Sequence, residues 1–328
     1  MSITYKESLQ GGLKELLAQD GVFLLGEDIA EPYGGSFQIS KGMSDRFPGK
    51  VINTPMSEQA FTGLGVGMAL AGYKPIIEIM FGDFVTLTMD QILNHASKFQ
   101  QGFERNLHLV VRTPMGGYRG YGATHSQSLE KLYMGLPNIT VVTPSVLHSP
   151  GLLLKSAVEL GNPVMFFENK LDYTRKLFCS EKIAENFDYK YTNDTFPTCD
   201  LNFKGEKSEI AIITYGGIVN PLITMAYNLY MNEEISVHFI VPSTLSNIDF
   251  EQLKDLVAGS KYIWTIEEGH VPFGFGDAIV SGLCQKGVKA IFRTIGAKQS
   301  IIGASKKMED EVLPNFDVIY KEIVDLFN

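Results

Sequence analysis

The stretch "KVINTPMSEQAFTGLGVGMALAGYKPIIEIMFGDF", residues 50–84, decides the fold. It opens on a short β-branched run, 50–55, closed by Pro55, which cannot continue a strand. A segment of helical length, 58–72, follows, and then a second apolar run, 74–81. Ser57 stands where an N-cap belongs. Glu58 then falls in the first helical turn, where the helix dipole favours a carboxylate. No charge occurs between Glu58 and Lys74, and Gly63, Gly65, Gly67, Ala69, Ala71 and Gly72 crowd the helix with small side chains. Each interior glycine costs about 0.5–1 kcal/mol relative to alanine. The expectation is a helix buried on nearly all sides and pressed against another backbone, either a second copy or a partner subunit.

The same strand–helix alternation runs outward in both directions. Strands are expected within 21–28, 107–114, 138–145 and 162–169, and later within 208–216, 235–243, 261–269 and 288–296. Most are near-continuous apolar runs, as strands covered on both faces should be. Helices are expected over 86–102, 147–160, 218–231, 249–257 and 274–285. The fold class is α/β, in two domains, each a mostly parallel sheet with helices on both faces. Residues 178–207 are polar, lack a clean period and contain Pro197 and Gly205. They are expected to be a linker between a first domain, 1–177, and a second, 208–328.

The 328 residues carry a net charge of −9, with 45% hydrophobic and 20% charged residues. An acidic chain with no basic run has no field to collect nucleic acid. No apolar run approaches the length of a membrane span. The three cysteines, Cys179, Cys199 and Cys284, form no C-x-x-C pair. They point to a reducing compartment rather than a disulfide framework. The first residues, "MSITYKESLQ", have neither a signal core nor an Arg-rich amphipathic presequence. A cytoplasmic protein is expected.

In open parallel sheets, ligands bind beyond the carboxyl ends of the strands. Glu27 and Asp28 end the first strand, Glu58 lies beyond the second, and Asp83 follows the third. The fourth is followed by "RTPMGGYRGYGATHSQSLE" (112–130), where one of only six histidines, His125, sits in a loop rich in glycine. A histidine reaching into a cleft can exchange a proton near neutral pH. The structural alternative is a loop histidine capping a helix that starts near Ser128, and nothing structural explains so many glycines. Glu58 has its own bland alternative, a first-turn glutamate that only steadies its helix. The aromatics of "EIMFGDF" (78–84) either stack on a flat ligand ring or belong to the core. "EEGHVPFGFGDAI" (267–279) lacks the G-x-G-x-x-G spacing of a dinucleotide site and reads as the turn into a helix.

Taken together, these motifs resemble the β subunit of the thiamine-diphosphate-dependent 2-oxoacid dehydrogenase (decarboxylating) component, a transketolase-like family with pyruvate, branched-chain 2-oxoacid and acetoin members. The resemblance runs from "FLLGEDIAEPYGGSF" through 51–84, "DQILNHASK", "RTPMGG" and "THSQSLE" to "LLLKSAVELGNPVMFFENKLDY" and "EEGHVPFGFGDAI". It implies a pyrimidine-binding domain followed by a transketolase C-terminal-like domain. It implies that Glu58 hydrogen-bonds the pyrimidine ring of the cofactor, that Phe84 packs on that ring, and that Met56 also lines it. Glu27 matches an acidic residue that relays protons between paired sites. His125 matches the histidine that steadies the intermediate and helps to pass the acyl group to a lipoyl carrier. "SAVELGNP" (156–163) resembles a loop that binds potassium through backbone carbonyls, with Ala157, Leu160 and Asn162 at the matching positions. Leu160 replaces an acidic residue of some members, and a simple helix C-cap is the alternative reading.

The resemblance also implies an α subunit in an α2β2 heterotetramer. That subunit would hold Mg2+ and the diphosphate, since this chain has Gly82-Asp83 but no GDG motif followed by Asn. The expected reaction is decarboxylation of a 2-oxoacid with acyl transfer to a lipoyl acyltransferase. The stretch "GAKQSIIGASKKMEDEVLP" (296–314) departs from the Pro-rich docking stretch of many members, and "VPSTLSNID" (241–249) lacks a family arginine. These departures keep open an acetoin dehydrogenase or a stand-alone carboligase without a lipoyl partner. Further off stand a non-catalytic scaffold subunit and a hydrolase built on His125 and Ser126, which has no G-x-S-x-G elbow.

Overall fold

A computed structural model of the chain describes residues 3–328. Each of the ten apolar runs contains a strand. The first sheet is built from β1 (Val22–Gly26), β2 (Val51–Asn53), β3 (Lys74–Glu78), β4 (Val110–Met115), β5 (Thr140–Val142) and β6 (Val164–Asn169). Its order is β2-β1-β3-β4-β6-β5, and every pairing is parallel. Side chains alternate between its faces. Ile76 of β3 joins a core with the helices Tyr5–Leu17 and Pro150–Glu159, and its neighbour Ile77 joins another with the helix Glu58–Leu70. Both faces are covered, which explains strands that read as unbroken apolar runs.

The second sheet contains β7 (Phe187–Tyr191), β8 (Thr198–Phe203), β9 (Ile210–Thr214), β10 (Val237–Pro242), β11 (Tyr262–His270) and β12 (Ile291–Ala297), in the order β12-β11-β9-β10-β8-β7. Four strands are parallel, while β8 runs antiparallel to β10 and β7 antiparallel to β8. Residues 178–207 are therefore not a bare linker, because they supply the antiparallel edge of this sheet. Strand β8 buries Cys199, Leu201 and Phe203 on one face, a period-two signal. Strand β7 exposes everything after Phe187, so it has no apolar run to betray it.

The two sheets share one core. Ile77, Leu109 and Val141 of the first lie in the same buried cluster as Ala211, Ile213 and Ile240 of the second. The bonds Thr143 N–H to Ser243 O, 2.9 Å, and Leu245 N–H to Val141 O, 2.9 Å, stitch the domains along β5. Among the described residues no helix is long and apolar enough to cross a membrane.

Two local expectations change. The segment expected as one helix over 86–102 is three pieces: a 3-10 turn Gly82–Thr88, a π-helical turn Gln91–Ala96 and an α-turn Ser97–Gly102. Thr88 and Ser97 each donate a hydroxyl to a carbonyl one turn back, at 2.7 Å, which loosens a regular ladder there. The helix Glu58–Leu70 begins where expected, but the Ser57 side chain makes no capping bond. Nor is the helix buried all round: Leu64 is 52% exposed, and Gly67 has open space where a Cβ would stand. Gly65, on the inner face, does need its glycine, since a Cβ would lie 2.5 Å from Ile77 Cδ1.

Candidate functional site

The sheet order sets the site. At the carboxyl rim, β2, β1, β3 and β4 stand side by side, and their following residues are Glu58, Glu27, the Phe81–Phe84 turn and the His125 loop. At about 4.8 Å per strand, the row from β2 to β4 spans roughly 14 Å. A carboxylate pair occupies one end of this row and an imidazole the other.

Glu27 and Glu58 are each 8% exposed. Burial, then the charge of Glu58, then that of Asp28, push the Glu27 carboxyl above its ordinary range. One Glu27 oxygen, Oε1, is buried with no hydrogen-bond partner. Glu58 takes the first turn of a helix whose N-terminal peptide groups favour its charge. Met56 is 80% exposed.

At the far end the aromatics gather on the histidine. The His125 ring stands edge-on to Phe81, 4.7 Å between centroids, and to Phe84, 5.3 Å. Its Nδ1 lies 3.0 Å from Thr124 Oγ1. Phe81 continues to Tyr121, 6.5 Å, and to Phe37, 5.9 Å. His125 caps no helix, because the helix expected near Ser128 is only the turn Lys131–Met134. Ser126 is buried with an unpartnered hydroxyl, and the imidazole pairs with Thr124, so the hydrolase alternative loses its pair.

The sequence pointed to Asp83 as a polar group at a strand end but not to its partners. Its Oδ1 accepts the Gln127 amide at 2.8 Å, and its Oδ2 is buried and unpartnered. Lys170, just past β6, was missed. It is 1% exposed, donates to the His125 carbonyl, and lies over the rings of Phe81, 5.4 Å, and Tyr121, 5.2 Å. Burial pulls its ammonium down to about 8, against the opposing pull of Asp83, Glu268 and Glu309. Nothing in "FFENK" marks it. Only the neighbouring of β4 and β6 brings it under the histidine loop.

The glycines of that loop have a structural cause after all. A Cβ at Gly117 would stand 2.5 Å from Leu313 Cδ1, and Gly120, with φ +67°, lies against Ala304 O. Both contacts come from the second domain. In that domain "EEGHVPFGFGDAI" is indeed a helix entry. Glu267 accepts the N–H groups of Phe275 and Gly276 at 3.2 and 2.8 Å, filling with its own carboxylate the place a phosphate would take. His270 ends β11, with its Nε2 3.3 Å from Ser300 O.

Residues 1–176 match the transketolase pyrimidine-binding domain, and residues 200–319 match the transketolase C-terminal domain. The chain belongs to the transketolase-like family of E1 beta subunits. It is 31% identical over 338 residues to the mitochondrial pyruvate dehydrogenase E1 component subunit beta of Saccharomyces cerevisiae, spanning 100% of this chain and 89% of that one. It is 32% identical over 285 residues to the pyruvate dehydrogenase E1 component subunit beta of Rickettsia conorii, covering 86% and 84% of the two chains. A solved split-gene transketolase, described as an inactive beta4 tetramer, superposes over 100% of both chains with a TM-score of 0.74 at 18% identity. That last likeness concerns the fold, and it extends the family's two-domain architecture across the whole chain.

Proposed function

We propose that this chain is the β subunit of a thiamine-diphosphate-dependent 2-oxoacid dehydrogenase and contributes half of an active site that an α subunit completes. The observation that carries this reading is the row of Glu58, Glu27, Phe84 and His125 along one sheet rim, in a chain related over its full length to E1 beta subunits.

The chain's groups suit the cofactor. Two buried carboxylates, one with an unpartnered oxygen, share the sheet rim with half-buried aromatic rings. When bound, thiamine diphosphate supplies a ring nucleophile and an electron sink for the carbon that loses carbon dioxide. Glu58 would hydrogen-bond a pyrimidine nitrogen, a bond that its burial strengthens. Phe84 would pack on that ring, with Met56 beside it. Glu27 would take or return protons next to Glu58. His125 would hold or give a proton at the oxygen of the reacting carbonyl, its ring fixed edge-on by Phe81 and Phe84. Pyruvate is the substrate named for the relatives, and a small 2-oxoacid is the substrate class proposed here.

The α subunit would carry Mg2+ and the diphosphate, because this chain has Gly82-Asp83 but no GDG motif followed by Asn. An α2β2 assembly would cover the exposed apolar groups Met56, Leu64 and Leu87 near the site. A potassium ion is proposed at the turn 157–162, where a simple helix C-cap is the alternative. Val158 O meets His108 Nδ1 at 2.8 Å and Gly161 O takes the Leu107 N–H at 2.7 Å, whereas the carbonyls of Ala157, Leu160 and Asn162 accept no backbone hydrogen bond outside the helix among the described residues. Those three oxygens would hold the cation and fix the helix end. A lipoyl acyltransferase is the proposed acyl acceptor. The three free cysteines suit a reducing compartment such as the cytoplasm.

The test is carbon dioxide release by the co-expressed αβ complex from a panel of 2-oxoacids, with an artificial electron acceptor. Release from at least one short or branched 2-oxoacid is expected. A complex that binds the cofactor and turns over none of them would refute the reading.

A further inference from the structure

The loop that carries His125 is gripped from both domains. Glu268, in β11, accepts the Gly117 N–H. Glu309, in the helix Lys306–Val312, accepts the Gly120 N–H at 3.1 Å. From the first domain, Lys170 donates to the His125 carbonyl. Between these points the Tyr118 hydroxyl donates to Pro314 O at 2.9 Å, and its ring packs 5.8 Å from that of Phe316.

The three charged side chains are 5% exposed or less, and Glu309 is fully buried. None of them belongs to a salt bridge among the described residues; each makes a hydrogen bond with a peptide group of the one loop, Glu268 also accepts the Asn169 side-chain amide at 3.0 Å, and Glu309 Oε1 has no hydrogen-bond partner. A buried charge is tolerated only where hydrogen bonds satisfy it, and a bond to a charged group is about twice as strong as a neutral one. These peptide groups are correspondingly well held. Glycines at 117 and 120 let the second domain approach closely enough for both bonds. The segment 296–314, where the sequence departs from the docking stretch of many relatives, supplies Ala304, Glu309, Leu313 and Pro314 to this contact.

We propose that Glu309 and Glu268 are positioning residues: through the backbone of residues 117–120 the second domain fixes where the His125 imidazole stands against Phe81 and Phe84. The proposal rests on the role given to His125 above. Neither carboxylate touches the imidazole, and each acts through the loop.

The test uses the αβ complex with Glu309→Ala, Glu309→Gln and, as a milder cut, Tyr118→Phe. Glutamine keeps an oxygen for the Gly120 N–H, whereas alanine keeps none. Hydrogen exchange of the peptide spanning 116–127 should run about tenfold faster in Glu309→Ala and within about threefold of wild type in Glu309→Gln. Acyl transfer to free lipoamide should fall by about tenfold in kcat for Glu309→Ala, with KM for the 2-oxoacid unchanged and with rescue by glutamine. Tyr118→Phe should give a smaller rise in exchange, and it serves if Glu309→Ala does not assemble. Unchanged exchange in Glu309→Ala and in Tyr118→Phe would overturn the clamp whatever the activity. So would a variant that only melts earlier while kcat per bound cofactor stays at the wild-type value. If wild-type complex decarboxylates no 2-oxoacid yet exchange responds as expected, the clamp stands and the functional reading falls.

Discussion

Replacing Arg112 with methionine should unlock the strands that hold the site. Arg112 is 1% exposed in the middle of β4. Its Nε and one terminal nitrogen hold the two oxygens of Glu168 at 2.7 and 2.5 Å, and its other terminal nitrogen binds Glu78. Tyr173 adds its hydroxyl to Glu168 at 2.6 Å. The group ties β3, β4 and β6 together below the ends that carry Phe84, the His125 loop and Lys170. Burial opposes the guanidinium charge, but Glu168 and Glu78 outweigh it and keep it protonated. Removing one partner of a buried ion pair costs about 3–5 kcal/mol, because the other charge is left unpaired. For a domain of this size, each kcal/mol is worth about 2–4 °C, so the melting midpoint should fall by about 6–20 °C. The loss should depend on pH. Burial already raises the Glu78 carboxyl while Arg112 pulls it down, so without the arginine it rises further. A carboxyl raised in the fold contributes stability below its unfolded value of about 4.3 and loses it as pH climbs through the folded value. Arg112→Met should therefore melt much earlier near about pH 8 than near about pH 5, each against wild type at the same pH. Adding Glu78→Gln and Glu168→Gln should restore most of the midpoint. Scanning fluorimetry reads all of this. A drop of under about 2 °C, or one equal at both pH values, would refute the reasoning.

Other perturbations separate the roles along the rim. Glu58→Ala should leave the αβ complex assembled but reduce decarboxylation by about 10²–10⁴-fold; ordinary turnover in an assembled variant would remove Glu58 from the mechanism. His125→Ala should spare oxidation by an artificial acceptor more than acyl transfer to lipoamide, and equal loss of both would assign the histidine an earlier step. Burial and the charges of Glu58 and Asp28 raise the Glu27 carboxyl, so its ionisation opposes folding above the unfolded value. Glu27→Gln should therefore raise the melting midpoint by about 1–3 °C near pH 8 and not at all near about pH 4; an equal or lower midpoint at pH 8 would contradict the crowding of the two carboxylates.

Much of this arrangement is legible in the residues. Strands covered on both faces announce themselves as apolar runs, and the rule that ligands gather at carboxyl ends picks out Glu27, Glu58, Asp83 and the His125 loop before any coordinates exist. What escapes has a physical reason each time. The edge strand Phe187–Tyr191 faces solvent, so its pattern is polar, and 178–207 reads as a connection. Lys170 belongs to the site only because β6 lies beside β4, a long-range pairing that no local pattern records. The glycines before His125 look like a flexible approach to a ligand, whereas Leu313 and Ala304 show that they admit the second domain. The helix Glu58–Leu70 looks buried on all sides because its outer face is apolar too, although Leu64 on it is 52% exposed.

The central claim is that this chain holds half a site. Titration calorimetry with thiamine diphosphate and Mg2+ addresses it most directly, first on this chain alone and then on the complex with its α subunit. The account predicts binding by the complex and none by the lone chain. Tight binding by the lone chain, or no binding by the assembled complex, would contradict it.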